Sequence, residues 1–291
     1  MKYLCLIFIL INFLPVHLYG QYIIAVGGGD PLCEGHQIDT VAYYHIQVKY
    51  ELKFMPDTMI RDNYDRRITI LNLSPEGISS YCEYSKFKRD SIKAPYFENG
   101  KIRLSIVNKA IKYGGRVYDD FYIVKSWPQR NQLLYKGLAG IDGNFKYTED
   151  IPDFNWNIDF NRTKEIANYK CHFAKGSYGG REYYAWFTTD IPINNGPWKF
   201  WGLPGLILEV ASLDDEFIYT CMSIQKAEGP IVVEGLDTAI PTTKDRFLKV
   251  LKRHKENPTA GIAAMIDAGK LQSEMNLKKQ KPRAYNPQEK Y

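Results

Sequence analysis

The sequence predicts an α+β fold dominated by a large curved antiparallel sheet, a half-barrel or meander, with two helices at the C-terminal end. Three observations lead there. From Thr40 to Phe54 the chain alternates: Ala42, Tyr44, Ile46, Val48, Tyr50, Leu52 and Phe54 point one way, and His45, Gln47, Lys49 and Glu51 the other. That period of two marks a half-buried strand, and its length suits a wide curved sheet better than a small sandwich. Short strand-like runs then succeed one another between turn signals such as Tyr178-Gly179-Gly180, Asn194-Asn195-Gly196-Pro197 and Leu213-Asp214-Asp215. Beyond Thr242 the apolar spacing lengthens to that of a helix.

Taken in order, the strand candidates after Thr40–Phe54 are Arg67 to Leu73, Lys101 to Ile106, Phe121 to Lys125, Gln132 to Leu138, Phe154 to Phe160, Glu165 to Phe173, Arg181 to Thr188, Leu206 to Ser212 and Glu216 to Gln225. Thr242-Thr243-Lys244-Asp245 reads as a helix start, with Phe247, Val250 and Leu251 on one face. Pro258-Thr259 opens a second helix through Ile262, Met265, Ile266 and Leu271. Neither βαβ alternation nor a nucleotide-binding glycine pattern is present.

Lys2 and then the apolar run Leu4 to Leu14, broken only by Asn12, read as a secretory signal over residues 1–20, cut before Gln21. The run is shorter than the ~20 apolar residues that span a bilayer; an uncleaved anchor is the alternative. Residues 21–277 read as a single β-rich domain and residues 278–291 as a flexible basic tail, with no later membrane span. Loss of residues 1–20 removes Lys2 alone among the charges and leaves 37 basic against 33 acidic side chains, a net +4. That excess is too weak to imply nucleic acid. Cys33, Cys82, Cys171 and Cys221 remain, and two disulfides in any of three connectivities, or four buried thiols, are open readings.

The stretch Gly196-Pro197-Trp198-Lys199-Phe200-Trp201-Gly202-Leu203-Pro204-Gly205-Leu206-Ile207-Leu208-Glu209 concentrates turn residues and large aromatics ahead of a strand. Gly202, Pro204 and Gly205 read as a turn that sets the strand from Leu206 and Ile207 in register. A phosphate cradle would put a helix there instead. Together with Trp156-Asn157-Ile158, Asn168-Tyr169-Lys170-Cys171, Tyr178-Gly179-Gly180-Arg181-Glu182-Tyr183-Tyr184-Ala185-Trp186-Phe187 and Asp190-Ile191-Pro192-Ile193, this stretch resembles the family named for its Gly-Leu-Pro-Gly-Leu-Ile signature. These are secreted proteins of the Bacteroidetes group. The resemblance implies a Gram-negative envelope address, periplasmic or secreted, and a fold type, but no chemistry. Trp201 departs from the family's pattern, where a small residue is usual.

For a site, the residues suggest Arg181, Tyr184, Trp186, Trp198, Trp201 and Glu209 as a ligand-binding group. Arg181 is able to grip a carboxylate and the aromatics to offer an apolar concavity. Glu209 and Asp190 are the candidates for general acid–base work. His36, His45, His172 and His254 form no metal-ligand spacing, and Asp214-Asp215-Glu216 lacks the spaced oxygens of a calcium loop, so no metal and no cofactor are expected. The residues therefore read as a non-enzymatic binding protein for an apolar ligand, lipopeptide or envelope protein partner. An envelope hydrolase working through Glu209 and Asp190 and a structural assembly protein are the alternatives.

Overall fold

A computed structural model describes residues 30–139, 143–257 and 286–290. The signal peptide expected over residues 1–20 and the second C-terminal helix expected from Pro258 fall outside these residues.

The core of the fold is a long antiparallel pair. Strand β2 (Ile38–Phe54) runs beside β13 (Phe217–Glu234) from Phe54↔Phe217 to Ile38↔Glu234, with three register shifts that add local twist. From β2 the chain pleats outward through β3 (Asp65–Leu73), β4 (Ser79–Glu83), β6 (Phe121–Lys125), β7 (Gln132–Leu138) and β8 (Asn144–Asp150). From β13 it continues through β12 (Leu206–Ser212), β11 (Arg181–Thr188), β10 (Tyr169–Tyr178) and β9 (Asn157–Ile166). The short β14 (Ile240–Pro241) adds to β8 in parallel, so this 12-stranded sheet is mixed rather than wholly antiparallel, and it does not close. A separate two-stranded ribbon pairs β1 (Leu32–Glu34) with β5 (Lys101–Arg103).

The sheet curls. Tyr81 on β4 and Tyr219 on β13 are three strand spacings apart, ~14 Å in a flat sheet. Their ring centroids nevertheless stand 6.4 Å apart. The main core fills this concave side. Phe154, Trp198, Phe200 and Leu203, all from connecting segments, pack there on Tyr50, Tyr183 and Leu206.

Several elements differ from the sequence expectation. Glu165 to Phe173 is not one strand but the end of β9, a turn and the start of β10. Ala167 and Asn168 both take positive φ (52° and 66°), the conformation of a tight hairpin turn. Lys101 to Ile106 is β5 only to Arg103, and helix α2 (Leu104–Gly114) comes next. Helix α1 (Tyr84–Lys93), α2, β4 and β8 are additions to the elements the sequence predicts. The C-terminal helix α3 (Lys244–Glu256) starts where expected, with Thr243 Oγ1 accepting from the Arg246 amide.

The flexible tail expected over 278–291 is, in its described part, a packed segment: Glu289 is buried, and the Lys290 amide donates to Gly179 O at 2.6 Å. The four cysteines are buried free thiols, the second of the two readings that the sequence leaves open.

Candidate functional site

Four neighbouring strands each place one ring on the concave face. Tyr81 (β4), Phe121 (β6), Tyr135 (β7) and Tyr147 (β8) succeed one another at centroid distances of 6.1, 5.4 and 5.1 Å. Their strand order, not their sequence order, makes the row. Gly137, opposite Phe121 in the register, leaves room for both rings, since a Cβ there would lie 3.0 Å from Phe121 Cβ and 2.8 Å from the Tyr135 ring. Phe247 of α3 closes the row at 5.0 Å from Tyr135 and 5.8 Å from Tyr147.

Between this row, Tyr219, Phe217, Phe54, Leu52 and α3 remains a cavity of ≈ 240 Å³. That is somewhat below the ~300–1,000 Å³ of typical small-molecule sites, so it suits a single ring or a short apolar chain. Arg67, Glu83 and Asp119 line one part of it; Lys199 and Asn286 to Glu289 line another. Arg67 lies over the Tyr118 ring at 4.0 Å and pairs with Asp65 at 3.2 Å; its buried Nε makes no hydrogen bond among the described residues and faces Asp119 Oδ2 at 3.9 Å. Glu83 accepts from the Tyr118 and Asp119 amides at 3.0 and 2.9 Å. Burial raises its pKa against those two bonds.

The C-terminal segment forms a wall. Arg181 lies wholly inside the protein, donating to Asp214 (2.7 Å), Glu216 (2.6 Å), Asn286 Oδ1 (2.5 Å) and Pro287 O (3.0 Å). Lys199 binds Glu149 and Glu289, and Lys244 of α3 binds the same two carboxylates. Trp198, just before Lys199, holds φ at +47°, a strained value for a bulky residue, and it forms part of the cavity wall.

The residues singled out by sequence do not meet in one place. Arg181 and Trp198 belong to this wall. Tyr184 stacks on Phe173 and Trp186 meets it edge-on, away from the wall, and Arg162 and Lys164 cover Trp186 at 5.4 and 4.8 Å. Trp201 is half-buried, and its carbonyl accepts from Trp156 Nε1 at 2.7 Å. Glu209 pairs with Lys164 Nζ at 2.6 Å, and Asp190 is exposed in the turn after β11. The two candidate catalytic acids thus line no common cavity.

The Gly202-Leu203-Pro204-Gly205-Leu206-Ile207 stretch is a turn, as its glycines and proline predict. Gly202 has φ +98°, and a Cβ on Gly205 would lie 2.0 Å from Thr188 O. Ile207 donates to Asn195 O at 2.9 Å, and Leu203, Leu206 and Ile207 are buried. Under this loop Lys125 is fully buried. Its Nζ donates to Asn195 Oδ1, Gly196 O and Phe200 O at 2.7, 2.7 and 3.1 Å. Burial without a counter-charge pushes its pKa well below the usual lysine value.

Sequence reasoning misses the cavity because its rings come from four separate strands, two of which the sequence pattern does not mark. No group of His, Cys, Asp or Glu able to hold a metal occurs among the described residues. No helix among them is long and apolar enough to cross a membrane.

Residues 179–209, which hold Arg181, the signature turn and Glu209, match a family described as a protein of unknown function (Porph_ging). No curated protein matches the chain. Among solved structures the chain is similar to PNGF-II in a P21 crystal form, at 12% identity and a TM-score of 0.47, over 73% of this chain and 34% of that one. A C2 form of PNGF-II is similar at 11% identity and 0.47, over 73% and 33%. The chain spans about a third of the length of these solved structures.

Proposed function

We propose that this chain is a secreted, cell-envelope binding protein of the Gly-Leu-Pro-Gly-Leu-Ile type, and that it holds a small apolar group in the aromatic cavity. The observation that carries this reading is the row Tyr81–Phe121–Tyr135–Tyr147, closed by Phe247 around ≈ 240 Å³ of space. Aromatic walls supply dispersion and hydrophobic contact to a ring or acyl chain, and Arg67 at the edge supplies a donor to a polar head. Hydrolysis through Glu209 and Asp190 finds no support, because one is neutralised by Lys164 and the other faces water.

Native mass spectrometry of residues 21–291 purified from the periplasm tests the reading. A ligand adduct that is lost on denaturation and weakened by Tyr135→Ala is expected. A bare mass, together with no binding of an apolar fluorescent probe, would overturn it.

A further inference from the structure

The wall formed by Asn286–Lys290 has the chemistry of a bound peptide. Each of the five residues is held by the body of the fold. Asn286 Nδ2 donates to Met55 O at 2.8 Å, and Arg181 grips Asn286 Oδ1 and Pro287 O. Tyr183 OH donates to Gln288 O at 3.0 Å and Tyr219 OH to Gln288 Oε1 at 2.8 Å. Glu289 sits between Lys199 and Lys244, and the Lys290 amide reaches Gly179 O. The gripping side chains come from β11, β13, α3 and the signature loop, so the site is assembled by the fold and not by the segment itself.

Charge gives the site a direction. Lys199 and Lys244 share two carboxylates, Glu149 of the sheet and Glu289 of the segment, so losing the segment takes a carboxylate from both ammonium groups at the place where Glu289 now sits. Arg181 would face both Asp214 and Glu216, an excess of one negative charge where Lys290 Nζ now lies 3.3 Å from Asp214 and 3.8 Å from Glu216. The site therefore asks for a carboxylate and then a cation, and it supplies donors to the backbone on the N-terminal side of that pair. The Glu289 pairs are buried and reject a reversed charge strongly, since an unpaired buried ion is costly, whereas the half-exposed Lys290 adds a weaker preference.

We propose that the body of this protein carries a binding site for an extended peptide with a carboxylate–cation pair, and that Asn286–Lys290 fills it as a built-in, displaceable pseudo-ligand. A tethered segment competes at an effective concentration on the order of millimolar or below. A free peptide of the same chemistry therefore binds only when it is tight or when the tether lets go. Gln288 lines the aromatic cavity, so the residue at that place in another peptide presents its side chain to the cavity. The inference does not require a ligand in the cavity; a bare cavity would leave it standing.

The test uses the full chain and a fluorescein-labelled synthetic peptide with the sequence of residues 284–291, read by fluorescence anisotropy. In Glu289→Lys the tethered segment loses its two lysine partners. The labelled peptide is expected to bind this variant at least tenfold more tightly than the wild type. A peptide with its own Glu changed to Lys is expected not to bind, and adding Lys199→Met is expected to abolish binding. Absent or equal binding by a folded Glu289→Lys chain would overturn the proposal. Should that variant not fold, hydrogen exchange on the wild type decides. Faster exchange of the Lys290 amide than of the β11 amides supports a displaceable segment, and exchange at the β11 rate overturns it.

Discussion

Arg181 on β11 donates to the side chain of Asn286 at 2.5 Å across 105 residues of sequence, and thereby fastens the C-terminal segment to the third strand from the β9 edge of the sheet. The same guanidinium pairs with both Asp214 and Glu216 and lies 5.0 Å over the Phe217 ring. Removing one partner of a buried ionic group leaves the others uncompensated, at a cost of about 3–5 kcal/mol. Arg181→Met is therefore expected to lower unfolding free energy by roughly that amount, and to free the C-terminal segment. Denaturant melts would read the first and limited proteolysis near residue 286 the second. Unchanged stability would show that Arg181 is not the fastening point.

Glu209→Gln is expected to be nearly silent. Its partner Lys164 is about a third exposed, and pairs at that exposure contribute roughly 1 kcal/mol or less. Binding of any cavity ligand should be unaffected, because Glu209 does not line the cavity. A loss of binding at constant melting temperature would restore Glu209 as a site residue.

Gly205→Ala should be severe for a small change. The added methyl would lie 2.0 Å from the Thr188 carbonyl oxygen, which belongs to a neighbouring strand and has little freedom to retreat. Overpacking costs roughly 1–3 kcal/mol, and a clash against backbone falls at the upper end of that range. A melting temperature within a degree or two of wild type would contradict this account of the signature glycine.

How much of the molecule is legible in its sequence depends on where each signal lies. The long strand from Thr40 is legible because its alternation is local and survives in the fold. Helix α1 is not, because the residues it buries are Lys86 and Asp90, not an apolar stripe. Lys86 pairs with Asp120 at 2.8 Å and with Asp90 at 3.4 Å, so ion pairing replaces the hydrophobic period that marks a helix. The signature turn is legible because glycine and proline act locally. The cavity and the peptide wall are not, since both depend on strand order and on contacts between distant residues. Arg181 stands out in the sequence, yet its partners lie in a segment whose composition reads as a loose tail.

The four thiols should be silent in the native state. Burial raises the pKa of each; Cys171 is pushed up to about 12 and Cys221 to about 11. Little thiolate exists at neutral pH, and reagent access is blocked. A chain starting at Gln21 should react with Ellman's reagent at none of these positions when folded and at all four in denaturant. Fewer than four on unfolding under non-reducing conditions would reveal a bridge.

Lys136 on β7 provides the clearest pH dependence. It is buried beside the Tyr122 ring; Lys86 of α1 repels it, while Asp120, Glu234 and Asp90 attract it, and burial and Lys86 prevail, lowering its pKa to about 8. In the unfolded chain the value is ~10.4. Between these values the unfolded chain binds more protons than the native one, so this group makes stability rise with pH across that window. It adds no slope below about pH 8, where both states are protonated, or above ~10.4, where both are neutral. The shift corresponds to about 3 kcal/mol over the whole window. Lys136→Met should remove this rise, so the wild type gains stability relative to the variant as pH is raised from 8 to 10. Urea midpoints for both proteins at pH 7, 8, 9 and 10 measure the difference. A gap that stays constant or shrinks with pH would mean that the nearby carboxylates prevail and keep Lys136 an ordinary ammonium.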